Sequence, residues 1–530
     1  AEKRRRRKKG TYPDPDKRAF INTDICEGCG DCGVQSNCVS IVPVETELGR
    51  KRAIDQSSCN KDFSCVSGFC PSFVTIEGAQ IRKDATAEVD TGSLTMPQLP
   101  AIDGTFNTVI TGVGGTGVVT IGALMAMAAH LDGKGVGLME MAGLAQKGGA
   151  VHIHCRIAET PDDISAIRVA TGECDTLIGG DLVVSAGAKT MGLLKPGAGA
   201  VVNSHEIITG QFTQDAEFKL PMGQMQLSLE ARLQQGLASF DASELARKVM
   251  GDSIFSNMMV FGASWQRGLI PLKHEAIERA IELNGTAVER NKRAFELGRW
   301  AVENLEAVAS LLHTEEDDAP MDLAGKIEFR EGHLTEYQNA RLAKRYRRFV
   351  DQIADPELRE TVALSYHKLL TYKDEYEVSR LLAKTGDQAR TAFAGDLKLT
   401  YHLAPPVLPG KDALGRPKKR EFGPRMAGLI MGLARFKFLR GTPFDPFGYA
   451  AERRLERRLI REFEADIKRL LARDDFGGAQ GAELASLPMS VRGFGLVKTA
   501  AADAASKRRA ELWSEIEAPE GPAEIAQAAE

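Results

Sequence analysis

A chain of 530 residues is too long for one compact domain, and a usual domain size of roughly 100 to 200 residues predicts about three domains. Hydrophobic residues make up 43% and charged residues 26%, which excludes a chain that is disordered throughout. The net charge of -4 excludes a general attraction to nucleic acid or anionic membranes, so such a partner would need a local patch.

The chain begins with a strongly basic segment. Seven consecutive cations, from Lys3 to Lys9, lie within residues 1–19, which we interpret as a linker or a subunit contact. Nucleic-acid binding is the alternative, because such a run would release counterions from a phosphate backbone, but the run stands alone and we predict no nucleic-acid partner. The first residue is Ala1 instead of methionine, which suggests a piece of a longer polypeptide.

Cysteines dominate the next part of the chain. Seven of the nine fall between Cys26 and Cys70, and the residues ahead of them do not resemble a secretory signal. A cytoplasmic, reducing compartment is therefore predicted, and disulfides are not favoured. Cysteine, glycine and turn signals continue to about residue 100 with little helical periodicity, as expected where inorganic clusters replace a hydrophobic core. Residues 20–100 are predicted to form a ferredoxin-like iron-sulfur domain.

The cysteine spacing predicts two clusters. The run CEGCGDCGVQSNC can hold three corners of a four-iron cluster, and CNKDFSCVSGFCP is a second half in which Asp62 replaces the middle cysteine. In two-cluster ferredoxins the fourth cysteine of each run crosses to the other cluster. The first cluster then has the ligands Cys26, Cys29, Cys32 and Cys70. The second has Cys38, Cys59 and Cys65, with Asp62 at the remaining corner and either three or four irons.

The aspartate and the spacing bear on which metal is bound. An oxygen ligand binds iron less tightly than a thiolate does, so the second site is predicted to be the more sensitive to oxidation. A zinc site is the alternative, but structural zinc usually takes two separated pairs of ligands, and three cysteines at a pitch of three residues are unusual for it.

Residues 101–312 are predicted to form an α/β domain, because short β-rich runs alternate with glycine-rich and helical stretches. The uncharged run from Thr108 to Ala129 is interrupted by glycines, so we interpret it as strand, loop and helix and predict no membrane span. The loop glycines could face a phosphate at the helix N-terminus, or could serve only a tight turn. A nicotinamide cofactor is not favoured, because no acidic residue ends a second strand at the expected distance. The loop glycines are Gly112, Gly114, Gly115 and Gly117.

The following strand carries alternating polar residues. His152, His154 and Arg156 are predicted on one face, open to solvent, an interface or an anionic ligand, with Cys155 in the core.

From about residue 273 helical patterns take over, and residues 313–530 are predicted to form a mainly helical domain. This domain is predicted to have an amphipathic helix near 451–472 and a disordered tail from 518.

Together these motifs resemble the indolepyruvate ferredoxin oxidoreductase family of the 2-oxoacid:ferredoxin oxidoreductase superfamily. The resemblance rests on both cysteine runs and on GVGGTGVVT followed by MAGLAQKGGAVHIH. Residues 106–312 resemble the family's gamma-type domain, and the helical remainder resembles the C-terminal extension of its large fused bacterial members. Four residues lie in stretches that resemble the end of the gamma domain: Asn257, Gly262, Asn291 and Gly298.

The resemblance implies oxidative decarboxylation of an aryl 2-oxoacid, with coenzyme A as cosubstrate and ferredoxin or another carrier as electron acceptor. In that family thiamine diphosphate with Mg²⁺ performs the carbon chemistry. No Gly-Asp-Gly segment followed by suitable asparagines occurs here, so the catalytic residues are expected in a partner subunit or an upstream part of the same polypeptide, within an oligomer. The glycine loop is expected near the coenzyme A or the diphosphate. The alternative is an iron-sulfur electron-transfer subunit of another reductase with a nucleotide-binding α/β domain.

Overall fold

The computed structural model describes most of the chain. The described residues are 6–7, 10–82, 87–92, 94–115, 117–142, 149–207, 210–313, 321–405, 410–411, 415–473 and 475–518. Most of the basic run, Thr116 of the glycine loop, residues 143–148 and the tail from 519 lie outside them. Among the described helices, none is both long and apolar enough to cross a membrane.

The cysteine-rich segment forms small antiparallel sheets joined by tight loops. Strand β1 pairs with β4, with Ala19 opposite Thr75, and β2 pairs with β3 as a separate hairpin. A single 3-10 turn, Ser64–Ser67, follows Asp62. The elements are β1 (Lys17–Ile21), α1 (Asp31–Ser36), β2 (Ile41–Val44), β3 (Lys51–Ile54), β4 (Phe73–Glu77) and β5 (Gln80–Ile81).

Strands from the C-terminal part of the chain complete this sheet. Strand β13 (Lys398–Leu403) pairs antiparallel with β4, with Thr400 opposite Thr75, and β14 (Arg420–Phe422) adds to its far side. Strand β12 (Phe393–Ala394) pairs with β5. The shared core contains Ile25, Val74 and Ile76 together with Leu381, Phe393 and Tyr401. The cysteine-rich segment and the C-terminal region are therefore folded as one structural body.

The α/β domain has a six-stranded sheet, which confirms the predicted fold class for this part of the chain. The strand order is β11-β10-β9-β6-β8-β7, with β6, β9, β10 and β11 parallel and β8 antiparallel to both of its neighbours. The strands are β6 (Thr105–Val113), β7 (Gly135–Ala142), β8 (Ala150–Ala158), β9 (Cys174–Gly179), β10 (Leu194–Asn203) and β11 (Leu237–Phe240). The helices are α2 (Val118–Leu131), α3 (Leu182–Ser185), α4 (Ala188–Leu193), α5 (Met222–Leu233), α6 (Ala242–Met250), α7 (Ser256–Gln266), α8 (His274–Asn284), α9 (Val288–Glu303) and α10 (Leu305–Leu312).

Helix α7 lies at the centre of this domain, and every one of its residues is buried. It crosses α9 so closely that only glycine fits at two positions of the contact. A Cβ on Gly262 would lie 2.0 Å from the carbonyl oxygen of Phe295. A Cβ on Gly298 would lie 1.9 Å from the carbonyl oxygen of Met259. Phe261 packs edge-on against Phe295 beside the crossing.

The C-terminal region is mainly helical, as predicted. Its core unites buried aromatic and aliphatic side chains of several helices, among them Tyr346, Tyr366, Phe463 and Trp513. The helices are α11 (Leu323–Tyr337), α12 (Ala340–Val350), α13 (Pro356–Leu370), α14 (Glu375–Ala392), α15 (Pro424–Gly432), α16 (Ala451–Leu471), α17 (Gly478–Ser486) and α18 (Gly495–Glu517).

Candidate metal centre and glycine loop

Four cysteines, three from one short run and one distant in the sequence, line one small cavity. Cys26, Cys29 and Cys32 come from the first loop, and Cys70 comes from the end of the second half of the motif. Ile21, Phe69 and Phe73 form the apolar walls. Burial raises the pKa of Cys29 to about 12, and the neighbouring Cys70 adds to the shift. A thiol with this pKa stays protonated near neutral pH until a metal ion binds and displaces the proton. We refer to these four cysteines as the first group.

A second group contains Cys38, Cys59 and Cys65, with Asp62 beside them. Burial raises the pKa of Cys65 to about 12, and Cys38, Cys59 and the Asp62 carboxylate add to the shift. The Oδ1 atom of Asp62 accepts hydrogen bonds from the Ser64 N–H at 3.1 Å and from the Ser64 hydroxyl at 2.8 Å. Each predicted ligand set is thus brought together in the fold.

The loops that carry the two groups share one backbone conformation. In each loop, the residues two and four positions after the first cysteine have a left-handed backbone conformation. Cys29 lies between the two left-handed residues of the first loop, and Asp62 lies between those of the second. The left-handed residues are Gly28 (φ 67°) and Gly30 (φ 79°) in the first loop, and Lys61 (φ 51°) and Phe63 (φ 61°) in the second. Side-chain-bearing residues in this conformation cost about 1–2 kcal/mol each, and such strain clusters at functional sites.

A backbone N–H points at the first sulfur of each loop. The Gly28 N–H donates to the Cys26 Sγ atom at 3.4 Å, and the Lys61 N–H donates to the Cys59 Sγ atom at 3.4 Å. Hydrogen bonds to sulfur are among the means by which proteins tune iron-sulfur clusters. Because the two loops match in these contacts and Asp62 follows Cys59 by three residues, as Cys29 follows Cys26, Asp62 is the positional counterpart of Cys29.

The chemistry of the donor sets fits iron-sulfur clusters, because the first group offers four thiols and the second offers three thiols with one carboxyl group. Within the described ranges, no three His, Cys, Asp or Glu side chains are arranged to hold one metal ion.

Cations lie close to the first group. Arg52 is buried, interacts electrostatically with Cys26 and Cys32, and donates to the Ala216 carbonyl at 2.7 Å. The Lys419 ammonium donates to the carbonyl oxygens of Val66 and Gly68 and lies in the field of Cys70. Their charges oppose the negative charge that a thiolate-bound cluster carries.

The glycine loop lies at the carboxyl end of β6, where parallel strands of such sheets place their ligand sites. Gly112 is still part of β6, opposite Val151, and the Gly114 N–H donates to the Gly149 carbonyl at 2.7 Å. Gly115 (φ 104°) and Gly117 (φ 88°) are left-handed, which a side-chain-bearing residue rarely adopts. A Cβ on Gly115 would meet no atom of the described residues within 4 Å.

Two polar residues, Asp181 and Asn257, support this loop, and only Asn257 was named from the sequence. The Asp181 carboxylate is fully buried and accepts from the backbone N–H groups of Val113 at 2.5 Å and Val184 at 2.8 Å. The Asn257 amide donates to the Gly117 carbonyl at 3.1 Å. Asp181 follows strand β9 and precedes an apolar helix, a helix-capping pattern that could have identified it.

The polar face of β8 is buried instead of open to solvent or to a partner. The Nδ1 atom of His154 accepts from the Val169 N–H at 2.9 Å, and burial lowers the pKa of His154 to about 4. The His152 ring is bonded to Thr190, and Arg156 is held by Asn107 and Thr105. The segment after β8 covers these side chains, and their hydrogen bonds attach that segment to the sheet. Cys155 is fully buried, as predicted.

Two family models match the chain. Residues 107–301 match the model described as pyruvate ferredoxin/flavodoxin oxidoreductase, and residues 323–511 match a family of unknown function, DUF6537. The first match covers most of the α/β domain, and the second covers most of the helical region.

Archaeal subunits are similar to part of the chain. Indolepyruvate oxidoreductase subunit IorB of Thermococcus kodakarensis is 29% identical over 202 residues, which are 38% of this chain and 97% of that subunit. Its counterpart in Archaeoglobus fulgidus is 28% identical over 194 residues, covering 36% and 92%.

Solved structures are similar at low identity. The gamma subunit of a keto/oxoacid ferredoxin oxidoreductase from Geobacter sulfurreducens is 24% identical, covers 37% of this chain and 98% of its own, and has a TM-score of 0.27. Pyruvate oxidoreductase subunit PORC from Thermotoga maritima is 21% identical, covers 37% and 95%, and has a TM-score of 0.27.

Proposed function

Because the chain belongs to the indolepyruvate ferredoxin oxidoreductase family, within the 2-oxoacid:ferredoxin oxidoreductase superfamily, we propose that it is the iron-sulfur and gamma-domain part of a thiamine-dependent arylpyruvate oxidoreductase. In the overall reaction the 2-oxoacid and coenzyme A give an acyl-CoA, carbon dioxide, a proton and two electrons. This chain passes the two electrons to a ferredoxin-type acceptor.

The observation that carries this proposal is the repeated cysteine loop. Both loops have the same left-handed positions and the same N–H to sulfur contact, and each gathers its own set of soft ligands. A cluster held in each loop supplies one-electron redox chemistry, so that two sites can take up both electrons of one turnover. The first group supplies four thiolates for a four-iron cluster. The second supplies three thiolates and the Asp62 carboxylate for a three-iron or four-iron cluster.

The first group is also the one that touches the α/β domain. A Cβ on Gly33, beside Cys32, would lie 3.1 Å from the Thr213 carbonyl oxygen, and one on Gly30 would lie 2.8 Å from the Ala216 side chain. Arg52 bonds to the same segment. This contact supports a route in which electrons reach the first group from the side of the α/β domain.

The thiamine diphosphate and its Mg²⁺ belong, in this proposal, to a partner subunit or to an upstream part of the same polypeptide. The α/β domain lies beside that site and presents the glycine loop, in which Gly112, Gly114, Gly115 and Gly117 shape the environment of coenzyme A or of the diphosphate. Asp181 and Asn257 fix the loop through its backbone, so their role is to position it.

A valine at Gly115 tests the loop. Because no atom of the described residues lies within 4 Å of a Cβ there, the valine would occupy the space outside the loop, and a φ of 104° would strain its backbone. We expect Gly115→Val to lower the rate of acyl-CoA formation by at least about tenfold, a loss of about 1.4 kcal/mol of transition-state stabilisation, with iron content unchanged.

Gly133→Val is the matched control, since Gly133 (φ 75°) also has no atom within 4 Å of its Cβ and lies at the opposite end of α2. It imposes a similar backbone strain away from the loop. Equal activity of wild type and Gly115→Val, or equal losses in both variants, would show that the loop has no part in catalysis.

Anaerobic reconstitution tests the function itself. The cluster-loaded chain is combined with the thiamine-binding part, and an arylpyruvate and coenzyme A are added while the iron-sulfur absorbance is followed. We expect bleaching that requires thiamine diphosphate, the 2-oxoacid and coenzyme A. Bleaching by NADH or NADPH, with no thiamine-binding component copurifying, would favour the alternative of an electron-transfer subunit of another reductase.

A further inference from the structure

A second, larger cavity lies between the cysteine-rich segment and the C-terminal helices. Its volume is about 470 Å³, within the range of small-molecule sites. The hairpin β2–β3 and helices α11, α13 and α14 supply its walls. Nine lysine and arginine side chains line it against five carboxylates, so positive charges are in excess along its walls.

Most of the lining charges are paired. Lys373 pairs with Glu27, Arg380 with Glu377, Lys326 with Glu360, Arg50 with Glu45, Arg492 with Glu217, and Lys384 with Glu336. Three lining cations form no ion pair with any described residue: Lys51, Arg330 and Lys368. Among the residues described, Arg330 bonds only to the carbonyl oxygens of Lys326 and Glu47, and Lys368 bonds to that of Met489.

Lys51 is the most unusual of the three. Its side chain is 7% exposed and lines the cavity, yet its ammonium has no hydrogen-bond partner among the residues the structure describes. Burial and the nearby Lys373 lower its pKa to about 8, and burial lowers the pKa of Lys368 to about 7. Glu27 and Cys26 lie in its field and partly offset the lowering, but no described residue forms an ion pair or a hydrogen bond with its ammonium. An anion that enters the cavity would supply this direct partner.

We propose that this cavity binds an anionic metabolite bearing a carboxylate or phosphate group, held by Lys51, Arg330 and Lys368. These cations converge from β3, α11 and α13, so the site exists only because the cysteine-rich segment is docked on the helices. Leu364, Leu381 and Phe329 supply apolar wall for the rest of the ligand.

The cavity adjoins the first group of cysteines. Glu27, which lines it, directly follows Cys26, and Lys51 interacts electrostatically with Cys26. Negative charge added at this position disfavours reduction of a neighbouring cluster. Occupancy of the site therefore makes the first cluster harder to reduce and couples the level of the metabolite to electron transfer.

Binding is measured by titration calorimetry on the full cluster-loaded chain, with inorganic phosphate, pyrophosphate and citrate as separate probes at constant ionic strength. We expect at least one probe to bind, with the phosphate and carboxylate arms telling the two ligand chemistries apart. We expect Lys51→Met to weaken that binding at least about tenfold. Lys344→Met is the control, because Lys344 is an exposed lysine on α12 that does not line the cavity.

Thermal unfolding separates this role from a structural one. Without ligand, Lys51→Met should melt close to or above the temperature of the wild type, because it removes a largely buried charge that forms no ion pair with a described residue. With the anion, only the wild type and Lys344→Met should gain stability. Lys368→Met gives a second, independent removal of a cavity cation.

Redox titration supplies the last readout. The anion should lower the midpoint potential of the first cluster in the wild type and leave it unchanged in Lys51→Met. Two results would overturn the proposal. In the first, none of the three probes binds to the wild type. In the second, Lys51→Met loses iron and has a shifted midpoint potential, and both changes are the same with and without the anion. The second result would make Lys51 a counter-charge for the cluster. Neither readout depends on turnover, so they stand apart from the proposed reaction.

Discussion

Replacing Cys70 by Ala should remove the first cluster and leave the second in place. Cys70 lies far along the sequence from Cys26, Cys29 and Cys32, yet it shares their cavity. A cluster bound through three thiolates and no fourth donor is much weaker, and cluster binding here also stabilises the fold around the loops. We expect the variant to lose about half of the bound iron and the spectroscopic signal of the four-cysteine cluster.

Cys155→Ala is the matched control, because Cys155 is fully buried in strand β8 and belongs to neither group. Its iron content should equal that of the wild type. The crossed arrangement would be contradicted if Cys70→Ala kept the signal that Cys29→Ala loses, or if it lost the signal that Cys38→Ala loses.

Replacing Gly262 by Ala should destabilise the α/β domain severely. The new methyl group would lie 2.0 Å from the Phe295 carbonyl oxygen, which is backbone and cannot turn aside as a flexible side chain could. Helices α7 and α9 would have to separate, although every residue of α7 is buried. We expect a loss of about 3 kcal/mol in the free energy of unfolding, at the upper end of the usual cost of overpacking.

Chemical denaturation followed by circular dichroism measures this loss. Gly332→Ala is the control, since Gly332 lies inside helix α11 and a Cβ there would meet no atom within 4 Å. That substitution should stabilise its helix by up to about 1 kcal/mol through helix propensity alone. A Gly262→Ala variant as stable as the wild type would mean that the two helices do not cross as described.

The cysteine groups are the part of the site that sequence predicts best. The spacing of Cys26, Cys29 and Cys32 constrains a short loop, and the crossing of Cys70 follows from the two-fold repeat of such motifs. The fold gathers the same two sets of side chains, while their binding of clusters stays a prediction. The place of Asp62 also follows from spacing, but the left-handed Lys61 and Phe63 around it could not be foreseen, because residues of these types rarely adopt that conformation.

Long-range pairing is what the sequence could not reveal. Strand β13 joins the cysteine-rich sheet more than 300 residues after β4, and nothing local in KLTYHL specifies that partner. The buried histidines of β8 were missed for a related reason, since alternation predicts a face but not what covers it. The burial of Lys51 could not be predicted for the same reason, because distant helices bury it and its neighbours in the sequence do not.

The central claim is that this chain holds two iron-sulfur clusters of unequal ligation. Anaerobic iron and acid-labile sulfide analysis with low-temperature electron paramagnetic resonance, on the wild type and on Asp62→Cys, tests it most directly. We expect iron and sulfide in both proteins and a four-iron signal from the first group in both. The second group should give the signal of a three-iron cluster, or of a four-iron cluster with one carboxylate ligand, in the wild type. In Asp62→Cys that signal should become the signal of a four-iron cluster with four cysteine ligands. Stoichiometric zinc without sulfide in the wild type would contradict the claim.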